Sequence, residues 1–285
     1  MDSHVEFKFH STDDPFDDGL GILKDTDHAR ETLGQITTYA NAVLGNQFRT
    51  ALYTLLIIKD KARILRWDRS GVIYTSAFAY AQEDHLSEFW WRYSRSTRDQ
   101  RGHDTSVCAL SLEETALYRV HKGLETGRLF SLEVKNSENV DCEDVDSCYI
   151  VGVPFTKGHV SLTGRATRCF TAYDVERKQS VLLKDTWRVL ATGIVPEGDI
   201  YKKLEKANVP HVPKCLASGD VDEQTTVTLT SLPEHLQKLI RAFVDQRKFQ
   251  HYRLALDTVG RDLRSFRSPL NMVTAVRDAF EGLIP

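Results

Sequence analysis

The chain has 285 residues, 41% hydrophobic and 27% charged, which is enough apolar material for a core and an ordinary charge load for a globular protein. Lys plus Arg is 37 and Asp plus Glu is 40, giving a net charge of −3; this excludes a globally basic nucleic-acid binder but leaves room for a local patch. The N-terminal MDSHVEFKFHSTDDPFDD is polar and acidic with no signal-peptide core, and no apolar run is long enough to cross a bilayer. The expected location is therefore intracellular, cytoplasmic or nuclear, with no membrane partner. Cysteines stand at 108, 142, 148, 169 and 215, an odd number with no tight CxxC pair, so reduced thiols are expected rather than disulfides or zinc.

In chain order, VEFKFH reads as a short strand. Leu33, Ile36, Ala40 and Val43 have helical spacing between Ala29 and Leu44. ALYTLLIIKD is a buried strand of apolar and β-branched residues, and ARILRW and VIYTSAF pair as a hairpin across the DRSG turn. Leu86, Phe89, Trp90 and Tyr93 predict the apolar face of a helix, and Ser111 with Glu114 makes a capping box before a helix carrying Ala116, Leu117 and Val120. Residues 131 to 148 hold six acids (Glu133, Glu138, Asp141, Glu143, Asp144, Asp146) against one base, Lys135, and read as a solvated loop between two units. Beyond it HVSLTG, RCFTAYDV and SVLLKDTW predict strands, followed by a helix around EGDIYKKLEKA and another from Pro233 to about Lys248. HYRLALDTV is a strand, and Ser268 with Pro269 opens a last helix from about Leu270 to Glu281.

Lys184 ends the apolar run VLLK. An ammonium at the end of a buried strand needs an anion or water; a nucleotide phosphate with a nearby carboxylate would satisfy it. Glu197 opens the next predicted helix thirteen residues on and could pair with Lys184 as the strand lysine and helix glutamate of protein kinases do. Taken alone, such a lysine also reads as a surface residue that snorkels.

The wider wording resembles the fungal-type protein kinase domain. In the second half the resemblance runs through GRATRCFTAYDV, LLKDTWR, EGDIYKKLEKANVPHVPKCLASG and HYRLALDTVGRDLRSFRSPLNMVTAVRDAFEG. In the first half it runs through QFRTALYTLLI, ARILRWDRSGVIYTSAFAY, FWWRYS and QRGHDTSV. Its more specific parts are Trp67 to Gly71 and Lys184 to Trp187. The resemblance implies ATP as cofactor, with Gly164 in the nucleotide-covering loop, Lys184 on the phosphates and Glu197 as its helix partner. It places Leu254 to Gly260, including Leu254 and Asp257, in the hinge strand facing the adenine. One glycine is fewer than the family's loop carries, so tight phosphate wrapping is not expected.

A kinase also needs a His-Arg-Asp loop with an asparagine five residues after the aspartate, and an Asp-Phe-Gly element for magnesium. Neither occurs here: the Gly-Arg-Asp of TVGRDLRSF ends at Asp262, and the residue five beyond it is Arg267, not asparagine. The expectation is a chain stopping before the catalytic loop, with no catalytic base and no firm hold on Mg2+. Lacking most of a C-terminal lobe, it would expose an apolar underside of the kinase lobe to a protein partner.

In the N-terminal half, Glu6 and Lys8 share one face of a strand, and Gln35 and Tyr39 are helical neighbours four apart. This Glu-x-Lys strand and Gln-x-x-x-Tyr helix resemble the PD-(D/E)xK nuclease fold, especially its exonuclease-like branch. That resemblance implies Glu6 as a metal ligand, with Lys8 stabilising charge in phosphodiester hydrolysis. That family also uses an upstream aspartate on an earlier strand, a strand not expected here with only five residues before Glu6, and one carboxylate is a poor home for magnesium. Both pairs are also common on exposed strands and helices.

Arg92, Arg95, Arg98 and Arg101 recur every third residue and read as a solvated basic edge or as phosphate contacts; His103 and Asp104 could form a buried pair. The expected fold is α+β. A mixed α/β, nuclease-like domain covers residues 1–130 and an acidic linker 131–150. A kinase-like N-terminal lobe with an incomplete C-terminal lobe covers 151–285. A kinase homologue without phosphotransfer is the leading expectation; a nucleic-acid- or protein-interacting module built on the N-terminal domain is the alternative.

Overall fold

Strand β1 (Ser3–Lys8) is followed by a short hairpin of β2 (Phe16–Asp17) and β3 (Ile22–Leu23), then by α1 (Asp27–Asn46). The computed structural model describes residues 2–19, 22–135, 146–156, 161–231, 234, 236–238 and 248–282. Thr26 caps α1 by accepting from the Ala29 N–H, and Ala29, Thr32, Ile36, Ala40 and Leu44 form its buried stripe. The chain returns as β4 (Leu52–Ile58), parallel to β1, with Glu6 opposite Leu56 and Lys8 opposite Ile58. An antiparallel meander through β5 (Lys61–Asp68) and β6 (Gly71–Tyr74) completes a four-stranded sheet of order β1-β4-β5-β6. Helix α2 (His85–Arg95) follows, and Tyr93 and Phe89 meet Tyr53 of β4.

The rest of the chain supplies β7 (Val107–Ala109), α3 (Leu112–Tyr118), β8 (Phe130–Val134), β9 (Ser147–Val151), β10 (Arg168–Asp174) and β11 (Gln179–Val189). Helix α4 (Glu197–Lys206), β12 (Cys215–Thr225), β13 (Phe249–Leu256) and α5 (Pro269–Glu281) complete it. Seven strands form a second sheet of order β12-β13-β11-β10-β9-β8-β7. This sheet curls: Gly219 on β12 lies against the backbone of Lys135, just past β8, and Lys135 pairs with Asp222. The architecture is α+β, as expected.

The residues group into two units. Unit 1 is residues 1–105, 158–166 and 224–249; unit 2 is 106–157, 167–223 and 250–285. The chain first passes from one unit to the other at 105 and 106 and crosses again later, whereas composition suggested one division near 130. The acidic stretch joins β8 to β9, antiparallel neighbours with Val134 opposite Ser147, so its ends are strand rather than loop; residues 136–145 lie outside those described. Composition registers charge density, and a hairpin connection and an interdomain linker are equally charged. Ser161–Gly164 is not strand, which corrects the HVSLTG expectation, and most of the helix expected from Pro233 lies outside the described residues.

In unit 1 the Trp67–Gly71 run is a latch. Trp67 is buried and donates from Nε1 to Thr54 Oγ1 at 2.8 Å. Asp68, fully buried, accepts the Ser70 N–H at 2.8 Å, Val227 N–H at 2.9 Å and Thr228 N–H at 3.0 Å. Arg69 donates to the carbonyl of Leu44, in the last turn of α1, at 2.7 Å and to that of Leu162 at 3.2 Å, meeting carbonyls that have no partner within a helix. Ser70 donates to Thr226 Oγ1 at 2.6 Å. The β5–β6 turn thereby ties a helix end and two distant segments to one sheet. Asp68→Ala strands three backbone donors and is expected to cost about 2–4 kcal/mol. Urea unfolding together with faster amide exchange at Val227 and Thr228 would register it; unchanged exchange there would mean that Asp68 is not the latch.

Candidate functional site

Alternation along β11 sends Lys184 to one face of the sheet and Asp185 to the other. On the first face Lys184 Nζ donates to both oxygens of Glu197, at 2.6 and 2.8 Å. The side chains are 21% and 27% exposed, so the pair is formed but still reachable by a solute anion. Glu197 opens α4, whose N-cap residue Pro196 gives no side-chain cap. The Tyr252 hydroxyl of β13 does that work instead, accepting the Gly198 N–H at 3.0 Å. A Cβ on Gly198 would collide with Ser218 and with that hydroxyl, so glycine lets the helix end press onto the sheet. Behind it Tyr252, Leu254 and Leu256 pack with Leu182, Tyr201 and Cys215. Cys169 is the cross-strand partner of Lys184; burial pushes its thiol pKa up, against the opposing pull of the Lys184 ammonium.

On the other face Asp185 is 2% exposed. His251 Nε2 lies 2.7 Å from its Oδ1, Arg253 Nε donates to the same oxygen at 3.2 Å, and Arg168 Nη2 donates to Oδ2 at 2.6 Å. Arg253 donates on to the Glu133 carbonyl at 3.0 Å and to Ser106 Oγ at 2.9 Å, reaching from β13 to β8 across the curled sheet. The Trp187 ring stacks on His251 at 4.8 Å, while Thr186, returned by alternation to the Lys184 side, shares a 2.7 Å hydroxyl contact with Thr167. Burial by itself would raise the Asp185 pKa; His251, Arg168 and Arg253 outweigh it and hold the carboxyl well below its ordinary value.

The strands, the lysine–glutamate pair and the tryptophan-bearing motif set the frame for comparison. Residues 20–284 match the family described as fungal protein kinase. The chain belongs to this family. No curated protein and no solved structure matches it.

In this fungal protein kinase chain the residues expected from sequence are distributed as follows. Lys184, Glu197, Leu254 and Asp257 belong to unit 2, and Gly164 belongs to unit 1. Gly164 has φ +105 and donates its N–H to the Arg69 carbonyl at 2.9 Å. Leu254 is fully buried in the apolar cluster. Asp257 accepts the Lys214 N–H at 3.0 Å and returns its own N–H to the Lys214 carbonyl at 3.0 Å, so its polar groups pin the end of β13.

The family match begins beyond β1, yet unit 1 brings the four expected N-terminal residues together. Lys8 donates to Gln35 Oε1 at 2.6 Å, Gln35 donates to the Tyr39 hydroxyl at 2.9 Å, and Lys8 lies 3.4 Å from Glu6. His4, one alternation earlier on β1, meets Tyr39 edge-on and has both ring nitrogens buried without a hydrogen-bond partner. Burial lowers its pKa, the nearby Glu6 opposing. His4, Glu6 and Tyr39 line a cavity of about 470 Å³.

The arginine series is largely occupied. Arg92 bonds Glu88, Arg95 lies over the Trp91 ring, Arg98 faces His103, and Arg101 donates to the carbonyls of Ser94 and Ser96. The expected His103–Asp104 pair is corrected: His103 Nε2 lies 2.9 Å from Asp2, while Asp104 accepts from Gln224 at 2.6 Å. Adjacent residues point apart, and each found a partner distant in sequence. Cys108, Cys148, Cys169 and Cys215 are in no disulfide; Cys142 lies outside the described residues. No helix among the described residues is long and apolar enough to cross a membrane.

Sequence reasoning missed Gly198, Tyr252 and the His251–Asp185–Arg253 cluster. The one usable signal was the density of charge in apolar strands: an Asp in VLLKDTW and an Arg in HYRLAL must be paired if those strands are buried.

The depressed Asp185 pKa has a definite sign for stability. A carboxylate whose folded pKa lies below its unfolded value contributes fully above the unfolded pKa, and the contribution is lost as pH falls through the folded one. Asp185 therefore stabilises at neutral pH, with the loss setting in below the ordinary value of 3.8. Asp185→Asn leaves buried guanidinium groups uncompensated and is expected to cost about 3–5 kcal/mol at pH 7. Melting curves from pH 7 down to pH 3 should show the gap between native chain and variant narrowing only at the acid end. A gap independent of pH would refute the assignment.

Proposed function

We propose that this chain is a kinase-like module that binds a nucleotide through Lys184 and does not by itself transfer the phosphoryl group. The observation carrying the reading is the two-oxygen contact of Lys184 with Glu197, partly open to solvent. Counted from β9, the strand bearing this lysine is the third, the position protein kinases give it, and the helix glutamate orients the ammonium for the phosphates. ATP suits the chemistry: an ammonium held in place by one carboxylate retains hydrogens to donate to phosphate oxygens. The hinge role of Leu254 and Asp257 would fall to backbone groups other than the Asp257 N–H, which Lys214 occupies.

Phosphoryl transfer needs more than this. It depends on positioning and on metal ions that neutralise developing charge. These 285 residues hold no His-Arg-Asp and no Asp-Phe-Gly motif, so no base for an acceptor hydroxyl and no dedicated carboxylate for Mg2+ are assigned. A protein partner fits the same reading. Helix α5 has no buried residue, and Leu270, Met272, Val273, Val276 and Phe280 are exposed along it, as an apolar contact face would be.

A second reading concerns unit 1. The convergence of Glu6, Lys8, Gln35 and Tyr39 beside the His4 cavity favours a nucleic-acid-interacting module of nuclease-like descent. One carboxylate leaves hydrolysis unsupported, so the reading is of binding rather than cleavage.

Isothermal titration with ATP tests the first reading: Lys184→Met is expected to abolish binding, and Glu197→Gln to weaken it by about tenfold, the loss of one charged contact. Efficient phosphotransfer by the purified chain would refute the claim of inactivity, and unaltered ATP binding by Lys184→Met would refute the site. For the second reading, single-stranded DNA should bind at low salt, weaken steeply as salt rises, and weaken several-fold in Lys8→Ala, about 1 kcal/mol for one phosphate contact. No binding at low salt would end it.

A further inference from the structure

We propose that His211, Asp278 and Glu281 of unit 2 form a site for one divalent ion of the zinc and cobalt class. Their ligating atoms all lie within 4.8 Å of one another, and His211 Nε2 is 3.0 Å from Glu281 Oε2, a spacing close to that of neighbouring ligands on a metal with bonds of about 2.0–2.2 Å. Asp278 and Glu281 are three apart on α5 and so share one side of the helix. His211 comes from the connection between α4 and β12, and the two backbones meet closely: a Cβ on Gly282 would stand 3.1 Å from the Pro210 carbonyl oxygen. The three side chains are 42%, 28% and 47% exposed, which leaves an entry path and room for water in the remaining coordination positions.

The donor set selects the metal. One imidazole and two carboxylates suit the borderline ions, whereas magnesium and calcium prefer oxygen alone. The site also stands at the C-terminal end of a 13-residue helix, where the unpaired carbonyls favour positive charge. Arg277 now supplies such charge, donating to Asp278 at 2.8 Å and lying 3.4 Å from Glu281. Its side chain is 63% exposed and can swing into water when a dication, with twice the charge, takes its place. A bound ion would clip α5 to the α4–β12 connection, replacing the single His211–Glu281 contact.

Titrating Co2+ and Zn2+ into the full chain tests this. The expected result is one ion per chain, with a cobalt spectrum of nitrogen and oxygen ligation lacking the thiolate charge-transfer band, and slower amide exchange in α5. His211→Ala and, separately, Asp278→Asn should each weaken binding by about tenfold or more, as removal of one of three ligands requires. The exposed positions of these residues leave the fold intact, which far-ultraviolet circular dichroism verifies. The proposal is overturned by no binding at about 1 mM ion, far weaker than imidazole–carboxylate sites, by affinity unaltered in His211→Ala, or by a thiolate band that assigns the metal to cysteines.

Discussion

Asp185 is the charge around which the second sheet is organised. It sits in β11 with 2% exposure, where an unpaired carboxylate would cost several kcal/mol. His251, Arg253 and Arg168 are themselves nearly buried and would each be costly without it. The cluster is therefore all or nothing, and Arg253 extends it to the Glu133 carbonyl and Ser106. Hydrophobic residues alone would accept many ways of rolling this sheet. A buried carboxylate with three cationic or imidazole partners from β10 and β13 accepts few, because slipping either strand by one residue turns the partner to the wrong face.

The same register fixes what lies on the opposite face. With Asp185 committed inward, Lys184 must point outward, and Tyr252, flanked by His251 and Arg253 on β13, must do likewise. Tyr252 then accepts the Gly198 N–H in the first turn of α4, and Glu197 arrives at Lys184. The lysine–glutamate contact is thus downstream of a network that never touches it. Glycine at 198 is the last condition, since any side chain would lift the helix end from Ser218 and the tyrosine.

Much of this was legible in sequence, and the part that was not has a physical cause. Periodicity carried α1, α2, the β4–β5–β6 meander, β10, β11, β13 and the capped ends of α3 and α5, because each announces itself within a dozen residues. Lys184 with Glu197 was also readable, as a lysine in an apolar strand followed by a helix-opening glutamate. The strands β7, β8, β9 and β12 were not: VCA is too short, SLEV and SCY flank an acidic run, and CLASGDVDEQT is mostly polar beyond Ala217. Their pairing comes from neighbours distant in sequence. Gly198 and the partners of Asp185 were hidden for the same reason. So was the coming together of His211 with Asp278 and Glu281, since no spacing rule links residues brought together only by packing.

The two most specific runs of the family resemblance also turn out to differ in what they do. Trp67 to Gly71 is a pure fastening: indole to Thr54, carboxylate to three N–H groups, guanidinium to two carbonyls, hydroxyl to hydroxyl. In Lys184 to Trp187 three residues are fastening and one is not, for Asp185, Thr186 and Trp187 are all buried and only Lys184 has a solvent-accessible partner. Residues with such fastening contacts specify a fold whether or not catalysis accompanies it. A match to these motifs therefore argues strongly for the architecture and hardly at all for phosphoryl transfer, which rests on carboxylates supplied by other motifs. Membership of a kinase family and competence as a kinase are, for this chain, separate physical questions.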